Sequence, residues 1–186
     1  KHLGKESILA SDDGSDILRS MEAGLQVDKS RIDDFIYPLN SAGPLVVAEG
    51  GLRRHLKEWL PDKKIAGLGE ALLSIDSIRR SLGPDDLYVI ECRGFHSDYA
   101  RLVRFYDRVR LETGVQLNLD LQRIAIPTGA SSIQASEDLE AAGCIEQVKW
   151  ILYGRKVSRI IVENLADIDA FRRVTDIPLV HVALLA

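Results

Sequence analysis

The stretch LYVIECRGFHSDYARLVRFYDRVRLETG, residues 87–114, decides the fold. It opens with the predicted strand LYVIEC (87–92), and the apolar run before Glu91 is typical of a parallel strand that is covered on both faces. Residues 97–113 then place apolar side chains at helical spacing, and Gly114 supplies a common helix stop. The stretch therefore predicts one strand followed by one helix, which is the repeating unit of an α/β protein.

The same alternation continues on both sides of this unit. Strands are predicted at 45–48, 65–68, 87–92, within 115–126, at 157–162 and at 179–184. Helices are predicted at 52–60, 70–82, 97–113, within 132–153 and at 165–174. Glycine or proline stands near the end of each predicted helix. This alternation predicts an α/β fold with a mostly parallel β-sheet and helices on both faces, in a doubly wound, Rossmann-like three-layer arrangement.

Two regions depart from the regular alternation. In VQLNLDLQRIAI (115–126) the apolar phase shifts, which predicts a bulge or two short strands at an edge of the sheet. Residues 1–43 form an irregular N-terminal segment, in which 11–25 resemble a capped helix and IDDFIYPL (32–39) is predicted to be a short strand or packed extended chain. We therefore expect an N-terminal extension packed on an α/β domain that covers 44–186.

The composition limits the classes of function. The chain has 186 residues, of which 46% are hydrophobic and 28% charged, and its net charge is −4. The negative charge argues against nucleic acid as a partner, and no apolar run is long enough to span a bilayer. Two cysteines cannot form a disulfide framework, and the start of the chain has no signal-peptide pattern, so we expect a cytoplasmic, reducing location.

The two ends of the chain suggest a fragment. The sequence begins at Lys1, has its single methionine at Met21 and ends with the strand-like run PLVHVALLA (178–186). We therefore expect an excised domain of a longer protein. The alternative is a full-length chain from which a tag has been cleaved, and the length of the parent gene decides between the two.

Polar and small residues follow the predicted strands, where ligands bind in open parallel sheets. The first group is Glu49, Gly50 and Gly51, in which the glycines would let the backbone approach a phosphate at the start of a helix. The alternative is a tight turn with an incidental glutamate, because the pattern lacks the full dinucleotide-binding fingerprint.

The loop PTGASS (127–132) is the stronger candidate for an anion site. Gly129 permits an unusual backbone angle, and Thr128, Ser131 and Ser132 supply hydroxyl groups ahead of a predicted helix. The alternative is a strand-to-helix loop that caps the helix and binds no ligand. No lysine completes a Walker-type loop here.

The segment ECRGFH (91–96) carries the residues most suited to catalysis. Cys92 and His96 can form a nucleophile pair, because the start of a helix can lower the pKa of a thiol. Glu91 can transfer protons. Two candidate ligands do not make a zinc site, so no metal is predicted. The structural alternative is a buried cysteine at the end of a core strand, with the histidine in a turn.

Three further residues at strand ends complete the candidate site. Arg93 is predicted to clamp a carboxylate or phosphate, or to form an internal ion pair with Glu91. Glu163 and Asn164 follow another strand and are predicted to contact a ligand or to start a helix. Ser97 is instead assigned a structural role as the N-cap of the helix that follows it.

Three functional hypotheses are compatible with these patterns. The leading hypothesis is a small-molecule-binding α/β domain that recognises an anionic ligand, bearing phosphate or carboxylate, as the sensory or regulatory part of a larger protein. The second is an enzyme, a transferase or hydrolase, that uses Glu91, Cys92 or His96. The third is a structural or homodimerising module that uses an edge strand or the 97–113 helix. The sequence identifies no cofactor.

Overall fold

A computed structural model describes residues 8–130 and 139–185 and shows an α/β protein. The strands are β1 (Leu45–Val47), β2 (Ile65–Gly67), β3 (Asp86–Val89), β4 (Gln116–Leu117), β5 (Arg159–Val162) and β6 (Leu179–His181). The helices are α1 (Ser15–Glu22), α2 (Lys29–Ser41), α3 (Gly50–Trp59), α4 (Leu68–Leu73), α5 (Asp76–Arg79), α6 (Cys92–Ser97), α7 (Tyr99–Thr113), α8 (Leu139–Leu152) and α9 (Leu165–Arg172). A 3₁₀ turn, Val182–Leu184, follows β6.

The six strands form two sheets in which every strand pair is parallel. Strands β1 and β2 pair from Leu45 opposite Ile65 to Val47 opposite Gly67. The larger sheet has the order β4-β3-β5-β6, so β3 and β5 lie in its interior. The predicted α/β fold is confirmed, with the difference that its parallel strands are divided between two sheets.

Both faces of β3 are buried, in two separate cores. Tyr88 shares one core with Tyr106 of α7. The next residue, Val89, shares the other core with Ile151 of α8 and Phe171 of α9. Successive side chains of a strand point to opposite faces, so helices cover the sheet on both sides. This explains why the sequence of β3 is continuously apolar.

A third core joins the N-terminal helices to the small sheet. Leu18 of α1 and Phe35 of α2 pack in it with Leu56 of α3 and Ile65 of β2. The prediction that residues 1–43 are irregular is therefore wrong at α2, whereas α1 lies within 11–25, where the sequence predicts a capped helix. The proposed division of the chain at residue 43 stays a prediction.

The extended conformation predicted for residues 32–39 is also wrong, because α2 covers them. Ile32, Phe35 and Leu39 lie at helical spacing and pack in the third core. Pro38 lies inside this helix. The burial of an apolar face therefore decides the local structure despite the helix-disfavouring proline.

The helix predicted over 97–113 is α7, which begins at Tyr99, and a separate short helix, α6, precedes it. Helix α6 starts shortly after β3, and Glu91 is its N-cap. Asp98 is both the C-cap of α6 and the N-cap of α7. Ser97 is wrong as an N-cap, since it is the last residue of α6 and its hydroxyl donates to the Gly94 carbonyl oxygen at 2.8 Å.

Two of the predicted strand regions contain turns. Strand β6 ends at His181, whose ring caps the 3₁₀ turn. In 115–126, strand β4 lies at the edge of the larger sheet, as predicted, and an isolated antiparallel bridge joins Leu119 to Ala125. The shift in apolar phase thus marks a turn, in which Arg123 has a φ of 67°.

The starts of α3 and α6 contact each other at Gly50. A methyl group added at Gly50 would lie 1.7 Å from Glu91 Oε2 and 2.2 Å from the backbone nitrogen of Gly94. Neither distance leaves room for a carbon atom, so only glycine allows this approach. Gly50 therefore has a packing role that is independent of any ligand.

We predict that Gly50→Ala lowers the free energy of unfolding by about 3 kcal/mol or more, because α3 must move away from α6. Gly43→Ala is the matched control, since an added methyl there has no atom within 4 Å. The control should stay within about 0.5 kcal/mol of the wild type. Urea denaturation measures both values, and equal stability of the two variants would contradict the close approach at Gly50.

Candidate functional site

Glu91 stands where β3 passes into α6. Its carboxylate caps the helix, because Oε1 accepts from the Arg93 N–H at 3.1 Å and Oε2 accepts from the Gly94 N–H at 2.6 Å. The residue is only 8% exposed. A carboxylate that was a candidate catalytic group is thus held in a fixed orientation by two backbone donors.

Glu163 is buried just beyond β5, the strand next to β3. Its Oε1 accepts hydrogen bonds from the Tyr88 hydroxyl at 2.8 Å and the Tyr106 hydroxyl at 2.5 Å. Its Oε2 accepts from the Glu91 N–H at 2.8 Å. Glu163 was predicted to contact a ligand, and the structure gives it three internal donors that join β3, β5 and α7.

Asp167, in the first turn of α9, is a buried carboxyl that the sequence analysis missed. The Thr128 hydroxyl donates a hydrogen bond to its Oδ1. Asn164 caps the same helix by accepting from the Ala166 N–H at 3.0 Å. The sequence signal for Asp167 was weak, because an acid in a first helical turn is common at the positive end of the helix dipole.

Arg93 connects the N-terminal helices to the strand ends. Its guanidinium forms ion pairs with Glu22 of α1 and, at 2.8 Å, with Glu49 Oε1. Its Nε lies 3.7 Å from Glu91 Oε1, so the internal pair expected for these two residues is present. Glu49 also caps α3 by accepting from the Gly51 N–H at 3.2 Å. An external anion would have to compete with these carboxylates for Arg93.

Arg53 of α3 is a second functional group that the sequence analysis missed. It is 1% exposed. Its Nη1 donates to the Gly94 carbonyl oxygen at 3.3 Å, and its Nη2 donates to Asp98 Oδ2 at 3.3 Å and lies 3.6 Å from Glu70 Oε2. The available signal was its position on the apolar face of α3, three residues before the buried Leu56.

Two small cavities of about 20 Å³ adjoin Glu91. We call them together the Glu91 crevice. The polar side chains that line the first, the Arg53 cavity, are Arg53, Glu70, Glu91, Tyr106 and Glu163. The polar side chains that line the second, the Asp167 cavity, are Glu91, Cys92, Asn118, Thr128, Asn164 and Asp167. Glu91 is the side chain common to both, and each cavity has room for about one water molecule.

Burial changes the proton affinity of the carboxyls around the crevice. It raises the pKa of Glu91 to about 7; the hydrogen bond to the Gly94 N–H lowers that pKa, and the nearby charges of Glu49 and Glu163 raise it. Burial also raises the pKa of Asp167 to about 6. The pKa of Glu163 is raised by burial too, although its three hydrogen bonds oppose the change. The crevice therefore holds carboxyls that are easier to protonate than exposed ones.

Cys92 and His96 do not form the predicted pair within the described structure. The Cys92 thiol lies 3.7 Å from the Ile90 carbonyl oxygen, and His96 Nε2 lies 3.2 Å from the Ala125 carbonyl oxygen. Burial raises the pKa of the Cys92 thiol, and the nearby Glu91 charge raises it further. Burial of the thiol thus opposes the lowering of this pKa that was expected from the start of a helix.

The remaining predicted residues lie in different surroundings. Gly51 faces α1, because a methyl group added there would lie 3.0 Å from Leu18 Cδ1. Gly129 has a φ of 80°, which is the unusual backbone angle that its position predicted. Ser131 and Ser132 lie outside the described residues.

Metal and membrane signals are absent from the part of the chain that the structure describes. Within it, no group of three or more His, Cys, Asp or Glu residues is placed to hold a metal ion. None of its helices combines the length and apolar character needed to cross a membrane. Comparisons with protein-family models, with curated proteins and with solved structures find no match to this chain.

The raised pKa of Glu91 predicts a pH dependence of stability. Between its ordinary pKa of 4.5 and about 7, the folded protein binds more protons at this group than the unfolded chain does. The contribution of Glu91 to stability is therefore present below pH 4.5 and is lost as the pH rises to about 7, by on the order of 3 kcal/mol. We predict that Glu91→Gln flattens this decline.

Urea denaturation at a series of pH values measures the decline. The control is Glu58→Gln, which changes an exposed glutamate of the neighbouring helix α3. The control should keep the slope of the wild type. The slope is the deciding quantity, because loss of one capping hydrogen bond lowers the stability of Glu91→Gln at every pH. Parallel slopes in all three proteins would contradict the assignment.

We predict that Cys92 resists alkylation in the folded protein. Cys144→Ser leaves Cys92 as the only thiol, and Cys92→Ser leaves Cys144. Mass spectrometry after iodoacetamide treatment near neutral pH should show Cys92 reacting at least about tenfold more slowly in folded than in urea-unfolded protein, because the reactive species is the thiolate. Equally rapid labelling of Cys92 in both states would contradict this prediction and support Cys92 as a candidate nucleophile.

Proposed function

We propose that the chain binds a small polar molecule at the carboxyl ends of its parallel strands, in the Glu91 crevice. One observation carries this proposal: a single buried acidic residue, Glu91, lines both of two small cavities. Polar groups from the ends of β3 and β5 and from α3 converge on them, in the position where open α/β sheets bind ligands. The regulatory role and the homodimer predicted from the sequence stay predictions.

The charges around the crevice favour a ligand with hydroxyl or amino groups over a phosphate. Glu91, Glu163 and Asp167 supply hydrogen-bond acceptors, and Glu49 lies close enough to raise the pKa of Glu91 and Asp167. The start of α3 is capped by Glu49 and that of α6 by Glu91. An anionic ligand, the class expected from the sequence, would displace these caps and meet several negative charges.

We propose that Arg93, whose Nε lies 3.7 Å from Glu91 Oε1, controls access to the crevice. Each cavity accommodates about one water molecule, so a larger ligand requires some side chain to move. Arg93 and its partners Glu22 and Glu49 are each about a third exposed or slightly less, with side-chain exposures of 28%, 26% and 34%. Ion pairs at this level of exposure contribute little stability. They are therefore the contacts that open at the lowest cost when a ligand enters.

A second candidate function is an enzyme in which Glu91 exchanges a proton with the bound molecule. Its support is the pKa of about 7, at which both the acid and its conjugate base are populated at neutral pH. The transferase or hydrolase expected from the sequence thus keeps Glu91 as its candidate catalytic group. Cys92 and His96 contact backbone carbonyls and lack support from the geometry.

A thermal-shift panel tests the proposal. Polyols, amino alcohols and polyamines form one arm, and inorganic phosphate, nucleotides and dicarboxylic acids form the other. We expect a member of the first arm to raise Tm by about 5 to 10 °C when present at about 100 times its Kd. The increase follows because a ligand that binds only the folded state stabilises that state.

Two variants show whether the compound binds in the crevice. Glu91→Gln should lose most of the increase in Tm, and Glu58→Gln on the surface of α3 should keep it. Stabilisation by phosphates or nucleotides alone would favour the anionic ligand instead. Stabilisation that persists in Glu91→Gln would place the binding site elsewhere, and no shift with any compound would refute small-molecule binding within the classes tested.

A further inference from the structure

The Nε atom of Arg53 is a buried donor whose acceptor is missing. The two Nη atoms of this guanidinium contact Gly94 and Asp98. The Nε atom is buried and has no hydrogen-bond partner among the described residues. A buried N–H group without an acceptor is costly, and native proteins nearly always satisfy such groups. The position therefore calls for an acceptor other than these side chains.

The Arg53 cavity offers the space for that acceptor. Its volume of about 20 Å³ exceeds the roughly 10–15 Å³ that one water molecule requires. Arg53 lines it together with the carboxyls of Glu70, Glu91 and Glu163. A polar cavity of this size, with a donor on one side and acceptors on the others, has the properties of an internal water site.

The charges in the cavity select among possible occupants. Arg53 carries a permanent positive charge, which opposes a metal or ammonium ion beside its Nε. Glu91 and Glu163 oppose a chloride or other small anion. Water carries no net charge, accepts from the guanidinium and donates to carboxylates, so it matches every group in the lining.

We propose that one internal water molecule occupies the Arg53 cavity, accepts a hydrogen bond from Arg53 Nε and donates to the carboxyls that line it. Glu91 retains acceptor capacity for this water, because each of its two oxygens accepts one backbone N–H and a carboxylate oxygen has a second lone pair. The water completes the contacts between α3 and the ends of the two interior strands. It is a structural part of the ligand-free protein.

Crystallography of the full chain tests this directly. We expect an isolated density peak at about 2.7–3.2 Å from Arg53 Nε in a map that resolves ordered solvent. In solution, the Arg53 Nε–H proton should give a cross-peak to a long-lived water in a nuclear Overhauser experiment. An empty cavity in the map, together with no cross-peak, would overturn the proposal.

Two lysine variants assign the signal. Arg53→Lys keeps a positive charge but has no Nε–H group, so the cross-peak should disappear. Arg54→Lys is the matched control, because it changes the adjacent, exposed arginine of the same helix, whose Nε faces Glu58 at 3.4 Å. The cross-peak should persist in the control. A cross-peak that survives Arg53→Lys would assign the water to another donor and contradict the site, and failure of Arg53→Lys to fold leaves the map of the wild type as the deciding measurement.

Discussion

The structure around the crevice depends on the burial of one carboxyl, Glu163, at the carboxyl edge of the larger sheet. Removing a carboxylate from water costs several kcal/mol unless its oxygens are hydrogen-bonded. Tyr88, Tyr106 and the Glu91 N–H supply those bonds. Tyr88 and the Glu91 N–H belong to β3 and its end, and Tyr106 belongs to α7, so Glu163 holds the end of β3 and the helix α7 against β5. Gly69 is constrained by the same group, because a methyl group there would lie 1.7 Å from Glu163 Oε1.

The position of Glu91 follows from this constraint. Its backbone N–H is fixed on Glu163, and its side chain turns into the start of α6, where two backbone N–H groups donate hydrogen bonds to it. The cap in turn places α6 beside Gly50 and brings the Gly94 carbonyl within reach of Arg53. Several carboxyls and two guanidiniums thereby lie close together in a small, largely buried region. The raised pKa of Glu91 follows from its burial in this region.

The sequence predicts the backbone architecture better than the side-chain contacts. The apolar run of β3 indicates burial, and the glycine after α7 indicates a helix end. The succession of strands and helices along the chain could therefore be predicted from the sequence. Helix α1 lies within 11–25, where the sequence indicated a capped helix, whereas α2, which contains Pro38, was missed. Arg53 and Asp167 were missed for another reason. The role of a charged residue on an apolar helical face can be assigned only when its hydrogen-bond partners are known. The partners of Arg53 are Gly94 and Asp98, which lie more than forty positions away along the chain.

The sequence pattern that predicted an anionic ligand is compatible with two different structures. A strand that ends in glutamate and glycine ahead of a helix leaves backbone N–H groups in need of an acceptor. An external phosphate can supply it, and so can the glutamate itself. In this chain Glu49 and Glu91 both fold back onto the helix that follows them. The oxygens that the pattern requires are therefore internal, and the charge left in the crevice is negative. A ligand of such a site would have to donate hydrogen bonds to carboxyls. The glycines alone suggested the opposite, a ligand that accepts hydrogen bonds from backbone N–H groups.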